Sequence, residues 1–348
     1  LKLARAPRPP PPHPQPPARG PMHLLLIRHG QSQNNILEAA LGAGEAFNGQ
    51  RVVDPPLSEL GEGQAELLGQ RLAAQLRRSG VRVRLLCSSM TRAMQTIAPL
   101  ARALRLSPLV LPDLHEVKGF YDASGRKVHG PGRAALRERF PDFDVSLVPE
   151  EGQSGESGRE ALERVRRVVG VLRKWGSTEG TQEDVVIIVS HNDFIGLLGR
   201  RLLVPSGQDP ARTSDEPEEL FTESYWPMNN TGINHLVVGV RPPGGAYQVD
   251  TYFLYWNRSD HLPEAMRAGI QFKNMGALGA GAWARVGAGG SGLSPAYEER
   301  EAVHVPARGK SSSRTTAEAP AWGTMAASAA FGAAVAAWLL LVSPRLRR

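Results

Sequence analysis

Cysteine is almost missing. Cys87 is alone among 348 residues, so an intramolecular disulfide is excluded and a cluster of thiolate ligands is not expected. Its place at the end of the apolar run "RLLC" (84–87) suits a packed core thiol better than a reactive one. Acidic residues are missing from both ends of the chain. Residues 1–21 carry Lys2, Arg5, Arg8 and Arg19, and residues 319–348 carry Arg345, Arg347 and Arg348, with no Asp or Glu in either stretch. These two ends account for the whole formal charge of +7 and leave residues 22–318 neutral. A nucleic-acid binder wears its basic footprint on the folded domain, so the neutral centre argues against that class. No H-x-x-x-H pair and no carboxylate cluster in the sequence suggests a metal site. Neither a metal site nor any other cofactor is therefore expected. No internal repeat is evident.

The first 21 residues, with "PRPPPPHPQPP" at their centre, cannot pack a core and read as a disordered or polyproline-like extension. Met22 directly precedes the first strand signal, so 1–21 is taken as an extension ahead of the working domain, with an Arg-rich transit peptide as the alternative. From 22 to about 260 strand and helix signals alternate. The runs "LLLI" (24–27), "VRVRLLC" (81–87) and "VVIIV" (185–189) predict strands, and the last is apolar on both faces, as a central parallel strand requires. Later strands are predicted at 233–240 and 248–255. Helical spacing joins Ala65, Leu68, Leu72 and Leu76, and again Ala161, Val165, Val168 and Leu172, the latter after a capping box of Ser157 and Glu160. This alternation predicts an α/β fold, a three-layer α/β/α sandwich around a largely parallel sheet, over 22–275. Residues 276–318, glycine-rich then small and polar, read as a flexible linker. In 319–348 the window "GTMAASAAFGAAVAAWLLLV" (323–342) has about 20 residues, the length that crosses ~30 Å of hydrocarbon. With Trp338 near its end and arginines after it, this segment predicts a C-terminal membrane anchor, the rest of the chain facing the cytoplasm.

Three of the predicted strands end alike. "LLLI" runs into Arg28-His29-Gly30, "RLLC" into "SSMTRAMQT" (88–96), and "VVIIV" into "SHND" (190–193). Ligands of open α/β sheets bind beyond the carboxyl ends of the strands, and there this chain delivers Arg28, His29, Arg92 and His191. Arginine forks suit phosphate or carboxylate, and a helix opening nearby adds N–H donors. A neutral imidazole among them can act as a nucleophile toward phosphorus, with the cations stabilising the equatorial oxygens. The leaving alcohol then needs an acid.

These segments carry a resemblance. Arg28-His29-Gly30-x-Ser32 with Asn35, "PPLSELGEGQAELLGQRL" (55–72), "SSMTRAMQTIAPLA" (88–101), "LHEVKGF" (114–120), "GES" (155–157), "VIIVSHNDFIGLL" (186–198) and "NNTGINHLVV" (229–238) follow in the order of the histidine phosphatase superfamily, in its phosphoglycerate-mutase-like branch. The resemblance implies roles. His29 would be the phosphorylated nucleophile; Arg28, Arg92 and His191 would hold the phosphoryl oxygens, with Asn35 assisting. Glu116 would donate the proton and later activate water, with Asp193 and Asp122 in reserve. His115 and His129 are read as surface residues. The family's chemistry is metal-independent, and its substrate would be a small phosphorylated molecule or a phosphoprotein.

Two departures stand out. Asn192 follows His191 where many members have Gly, and Asn tolerates left-handed backbone angles better than most residues. The acid loop of the glycolytic mutases is replaced by "EVKGFYDASGRKVHGPGR" (116–133), so phosphomonoester hydrolysis is expected before mutase transfer. A non-catalytic scaffold held on a membrane is the third reading, disfavoured by the intact set of Arg28, His29, Arg92 and His191. Specificity is expected in loops 36–54, 117–135 and 205–228. The oligomeric state is left open.

Overall fold

A residue in a strand alternates its side chain between two faces, so "MHLLLIR" must bury two different sets if helices cover both sides. The computed structural model shows that arrangement for the residues it describes, 21–42, 45–177, 184–204, 226–239 and 251–269. In chain order the elements are β1 (Met22–Arg28), α1 (Gln33–Leu41), α2 (Glu45–Asn48), α3 (Glu59–Ser79), β2 (Val83–Cys87), α4 (Thr91–Leu104), β3 (Leu109–Val110), α5 (Arg133–Arg139), α6 (Gly158–Ser177), β4 (Val185–Ser190), α7 (Asn192–Leu203), β5 (Ile233–Val238) and β6 (Thr251–Arg258). The six strands form one sheet in the order β3-β2-β4-β1-β5-β6. β1 pairs in parallel with β4, and β2 in parallel with both β3 and β4. Only β5 runs against its neighbours, β1 and β6. The largely parallel α/β sandwich read from the sequence is thus the fold.

Leu25 and Ile27 face one side with Leu85, Cys87, Ile187 and Val189, under Leu68 and Leu72 of α3 and Met94, Ile97 and Leu100 of α4. Leu24 and Leu26 face the other with Leu86, Val186 and Ile188, under Val165, Val168 and Leu172 of α6 and Phe194 and Leu198 of α7. Each such side chain contributes ~1.5–3 kcal/mol on burial, so slipping β1 by one residue would exchange both cores at once. Cys87 is fully buried, and burial pushes its thiol up, away from the reactive thiolate.

The helix starts are built as the sequence suggested in one case and differently in another. Ser157 and Glu160 make the capping box ahead of α6, through Ser157 N–H to Glu160 Oε2 at 2.6 Å and Glu160 N–H to Ser157 Oγ at 3.3 Å. For α4 the cap comes from a distant residue, Asp54, which accepts the Thr91 N–H at 3.0 Å and the Thr91 hydroxyl at 2.6 Å. The last strand is described over Thr251–Arg258 and so runs past the predicted end at 255; residues 248–250 lie outside the described residues. Its pairing with β5 slips between Ile233 and Leu236, where Asn234 Oδ1 accepts the Asn257 N–H and Asn257 takes a left-handed φ of 55°. A bulge of this kind disrupts the ladder locally. The linker 276–318 and the predicted anchor 319–348 lie outside the described residues, as do residues 1–20. Among the described residues no helix is long and apolar enough to cross a membrane.

Candidate active site

β1, β2 and β4 are neighbours or next neighbours and run the same way, so their carboxyl ends open on one edge. β1 stops at Arg28, and its ladder continues one residue on each side: His29 N–H donates to Ser190 O at 2.9 Å, and Thr231 N–H to Arg28 O at 3.0 Å. β4 stops at Ser190, and a single residue, His191, separates it from α7. Arg92 rides the first turn of α4. A cleft of about 470 Å³ opens there, lined by Arg28, His29, Asn35, Arg51, Arg92, Glu116 and Asp193 among others. A larger groove, about 890 Å³, runs between α3, α4 and Phe140–Phe143, and none of the predicted site residues line it.

His29 is held in one tautomer. Its Nδ1 lies 2.6 Å from the Gly30 carbonyl, which can only accept, so Nδ1 carries the proton. The lone pair is then on Nε2, and Arg92 Nε donates to it at 3.2 Å. Burial, then Arg92, then Arg28 hold the imidazolium well below its usual range, so the ring is neutral near pH 7. The carbonyl that orients it is itself pinned. Gly30 N–H donates to Thr96 Oγ1 at 2.9 Å, and the loop passes so close to α3 that a Cβ on Gly30 would lie 2.7 Å from Gly61 O. Glycine is needed here for close approach, not for a left-handed turn, since Gly30 is absent from the positive-φ residues.

His191 stands behind His29, ring centroids 5.1 Å apart, fully buried and outside the lining of the cleft. Its Nε2 is 2.7 Å from Ser88 Oγ. Ser88 Oγ accepts the Met90 N–H at 3.1 Å and can donate its own proton to Nε2. In that tautomer Nδ1 is an N–H, and it has no protein partner among the described residues. An orphaned buried donor beside His29 is a place for a ligand oxygen. Burial first, then Arg92, depresses this imidazolium too.

Arg28 is aimed by backbone carbonyls from remote loops: its Nη1 donates to Met228 O at 2.5 Å and to Gly269 O at 2.7 Å. Glu116 meets the start of α7. Its Oε1 accepts N–H groups of Val117 at 2.8 Å and Phe194 at 3.0 Å, and Oε2 that of Asp193 at 3.4 Å. Burial and then the carboxylate of Asp193 push the Glu116 carboxyl up to about 7, against the pull of those N–H groups and Arg92. The loop bearing Glu116 is tied down by Arg164, 2% exposed, whose Nη1 donates to the carbonyls of Asp113 at 2.6 Å and His115 at 3.0 Å. Arg164 forms a two-pronged pair with Glu156, one contact being Nε to Oε2 at 2.9 Å.

Several sequence expectations change here. Asn35 lines the cleft but is first a helix cap. Its Oδ1 accepts the Ser32 N–H at 3.1 Å and the Asn230 amide at 3.4 Å, completing a capping box with Ser32. Of the reserve acids, Asp193 stands beside Glu116 in the cleft. Asp122 instead closes a turn with Ser124 and Arg126, whose hydrogen bonds hold its carboxyl down at about 2. His115 is not a surface residue. It is fully buried, with Nδ1 2.6 Å from Pro112 O and Nε2 3.5 Å from Glu156. His129 is exposed, as expected. Asn192 needs no left-handed backbone: it is the first residue of α7, its Oδ1 accepts the Met228 N–H at 3.1 Å, and its φ is not positive.

Ser88, Asn230 and Arg51 were not singled out in the sequence. Asn230 holds the His29 carbonyl at 3.0 Å. Arg51 lies in the loop 36–54 expected to carry specificity, and it stacks on Tyr121 with its guanidinium carbon 3.3 Å from the ring centroid. No group of three or more His, Cys, Asp or Glu residues placed to hold a metal ion occurs among the described residues.

An α/β sheet carrying a neutral histidine, two arginines and a raised carboxyl at its strand ends defines a phosphoryl-handling site. The family model of the histidine phosphatase superfamily (branch 1) matches residues 24–215, and the chain belongs to that superfamily. Among curated proteins, a probable phosphatase of Schizosaccharomyces pombe is 31% identical over 148 residues, 38% of this chain and 64% of that protein. A bifunctional protein of Mycobacterium tuberculosis is 34% identical over 194 residues, 53% of this chain and 46% of that protein. The chain thus spans less than two thirds of the length of these relatives. Among solved structures, a mycobacterial glucosyl-3-phosphoglycerate phosphatase with inorganic phosphate aligns with 71% of this chain and 100% of that one, at 22% identity and a TM-score of 0.39.

Proposed function

We propose that the chain is a phosphomonoesterase working through a phosphohistidine at His29. One observation carries the reading: a neutral imidazole with its Nε2 lone pair on the Arg92 guanidinium shares a cleft with Glu116, a carboxyl that ionises near 7. The phosphoryl oxygens of a small ester take the donors of Arg28, Arg92 and the orphaned His191 Nδ1. His29 Nε2 forms a bond to phosphorus as the ester oxygen leaves, and the guanidinium groups stabilise the charge on the equatorial oxygens. Protonated Glu116 gives its proton to the departing alkoxide. As a carboxylate it next takes a proton from water, whose oxygen attacks phosphorus. The N–P bond breaks, its electron pair returns to Nε2, and orthophosphate leaves. No step calls on a metal ion. The cleft of about 470 Å³ suits a small phosphorylated substrate, and likeness to the probable phosphatase of Schizosaccharomyces pombe supports the activity. The divergent loop 116–133 supports hydrolysis over mutase transfer.

The test uses the full chain, phenyl phosphate and a chelator. Free orthophosphate should appear with chelator present and vanish in His29→Ala. Activity lost on chelation, activity kept in His29→Ala, or phosphate retained on a product would each reject the mechanism. Residues 319–348 are proposed as a membrane tether, with the catalytic part on the cytoplasmic side. Their deletion should release the protein from alkaline-washed membranes, and a full chain already soluble would end that idea.

A further inference from the structure

Arg51 has a role in the cleft that the proposed chemistry does not use. Its guanidinium lies over the Tyr121 ring at 3.3 Å, with the Phe47 ring of α2 5.8 Å away. Its Nε and Nη1 are shut off from water, yet neither has a hydrogen-bond partner among the described residues. No carboxylate forms an ion pair with it among those residues, although Glu38 lines the same cleft. Burial, then the nearby charge of Arg92, hold it down at about 10. A cation with two dry, unmatched nitrogens is unfavourable as it stands, and an anion entering the cleft beside it offsets the charge.

Arg28 and Arg92, with the two histidines, suffice for one phosphoryl group, so a third arginine on the wall serves the remainder of the substrate. The aromatic stack holds the guanidinium pre-organised, with little side-chain freedom left to lose on binding. Lys118 adds a further cation to the same lining, on backbone of positive φ (72°). The geometry points to Arg51 as a specificity residue that binds a second anionic group, carboxylate or phosphate, on the leaving alcohol of the substrate. This rests on the phosphomonoesterase reading and narrows it to small esters that carry two acidic ends. A phosphoprotein side chain, whose leaving group is a neutral alcohol, is then a poor substrate.

The experiment compares the full chain with Arg51→Gln and Arg51→Lys on three esters of one chain length: propyl phosphate, its ω-carboxylate analogue and its ω-phosphate analogue. The readout is the ratio of kcat/KM for each dianionic-ended ester to that for propyl phosphate, which cancels any general loss of folded enzyme. Wild type should favour at least one acidic-ended ester, and Arg51→Gln should lower that ratio about tenfold to hundredfold, as loss of a charge-assisted hydrogen bond does. Arg51→Lys should fall between. The carboxylate and phosphate arms tell which anion the subsite takes. An unchanged ratio in Arg51→Gln, with wild type active on propyl phosphate, overturns the subsite alone. Failure of wild type on all three esters overturns the phosphomonoesterase reading, and the subsite with it.

Discussion

Replacing Glu116 by Gln should make the protein less active and, above neutral pH, more stable. Glu116 ionises near 7 because burial and Asp193 oppose its charge. Its folded-state pKa lies above the unfolded value of 4.5, so the group favours folding most below pH 4.5. That contribution fades as pH rises through 7 and is gone above it. At pH 8.5 the ionised carboxylate therefore burdens the folded state by on the order of 3 kcal/mol if water screens nothing. Glu116 is partly exposed, and this discounts the figure to about 1–2 kcal/mol. A glutamine with its oxygen in the Oε1 position keeps the Val117 and Phe194 N–H bonds and gives up only the 3.4 Å contact to Asp193 N–H. Its amide then faces the Asp193 carboxylate. The melting temperature should rise at pH 8.5 by about 2–8 °C, taking ~2–4 °C per kcal/mol for a domain of this size, and should not rise at pH 4.5. Turnover should fall by ~10²–10⁴, the usual worth of a general acid. Thermal melts at both pH values and a phosphate-release assay decide it. If Glu116→Gln melts below wild type by the same margin at both pH values, the carboxylate is not held against its own charge and the reasoning fails.

Gly30→Ala would put a methyl 2.7 Å from Gly61 O, so the loop must shift; a loss of about 1–3 kcal/mol is expected, with a fall in kcat as the carbonyl on His29 Nδ1 moves. Wild-type melting and turnover in this variant would show that the close approach does not matter. Glu156→Gln leaves Arg164 buried without its charge partner, and such breakage destabilises by about 3–5 kcal/mol, measurable by urea denaturation near neutral pH. The sign with pH follows from Glu156, which burial pushes up but hydrogen bonds from Arg164 and His115 hold at about 2. The wild-type advantage should be complete above pH 4.5 and shrink as pH falls toward 2; an advantage that persists undiminished at pH 2 would contradict it.

Much of the site was legible before any coordinates, for a simple physical reason. Apolar runs long enough to be parallel strands end at Arg28-His29, at "SSMTR" and at "SHN", and parallel strands put their carboxyl ends on one edge. Arg28, His29, Arg92 and His191 could therefore be grouped from order and residue type. Cys87 could be read as core in the same way. The bulge between β5 and β6 was not legible, because it depends on the amide of Asn234 reaching Asn257 across two strands. Nor was the burial of His115, which Glu156 and Arg164 impose from a helix start some forty residues on.

Local sequence, then, determined five of the six described strands but not the two-residue β3, which side chains stand at the strand exits, and that those side chains suit an anion. What it could not determine is anything that arises between segments brought together only by folding. Asn35 became a cap because Ser32 and Asn230 reach its oxygen; Gly30 is small because Gly61 presses against it. Glu116 meets the first N–H groups of α7 beside Asp193, and that encounter moves its ionisation to neutral pH. Arg51 lies against Tyr121 some seventy residues away, with donors left unmatched. Desolvation and long-range charge act through space, so the chemistry of His29 and Glu116 is a property of the assembled cleft and not of the motifs that contain them.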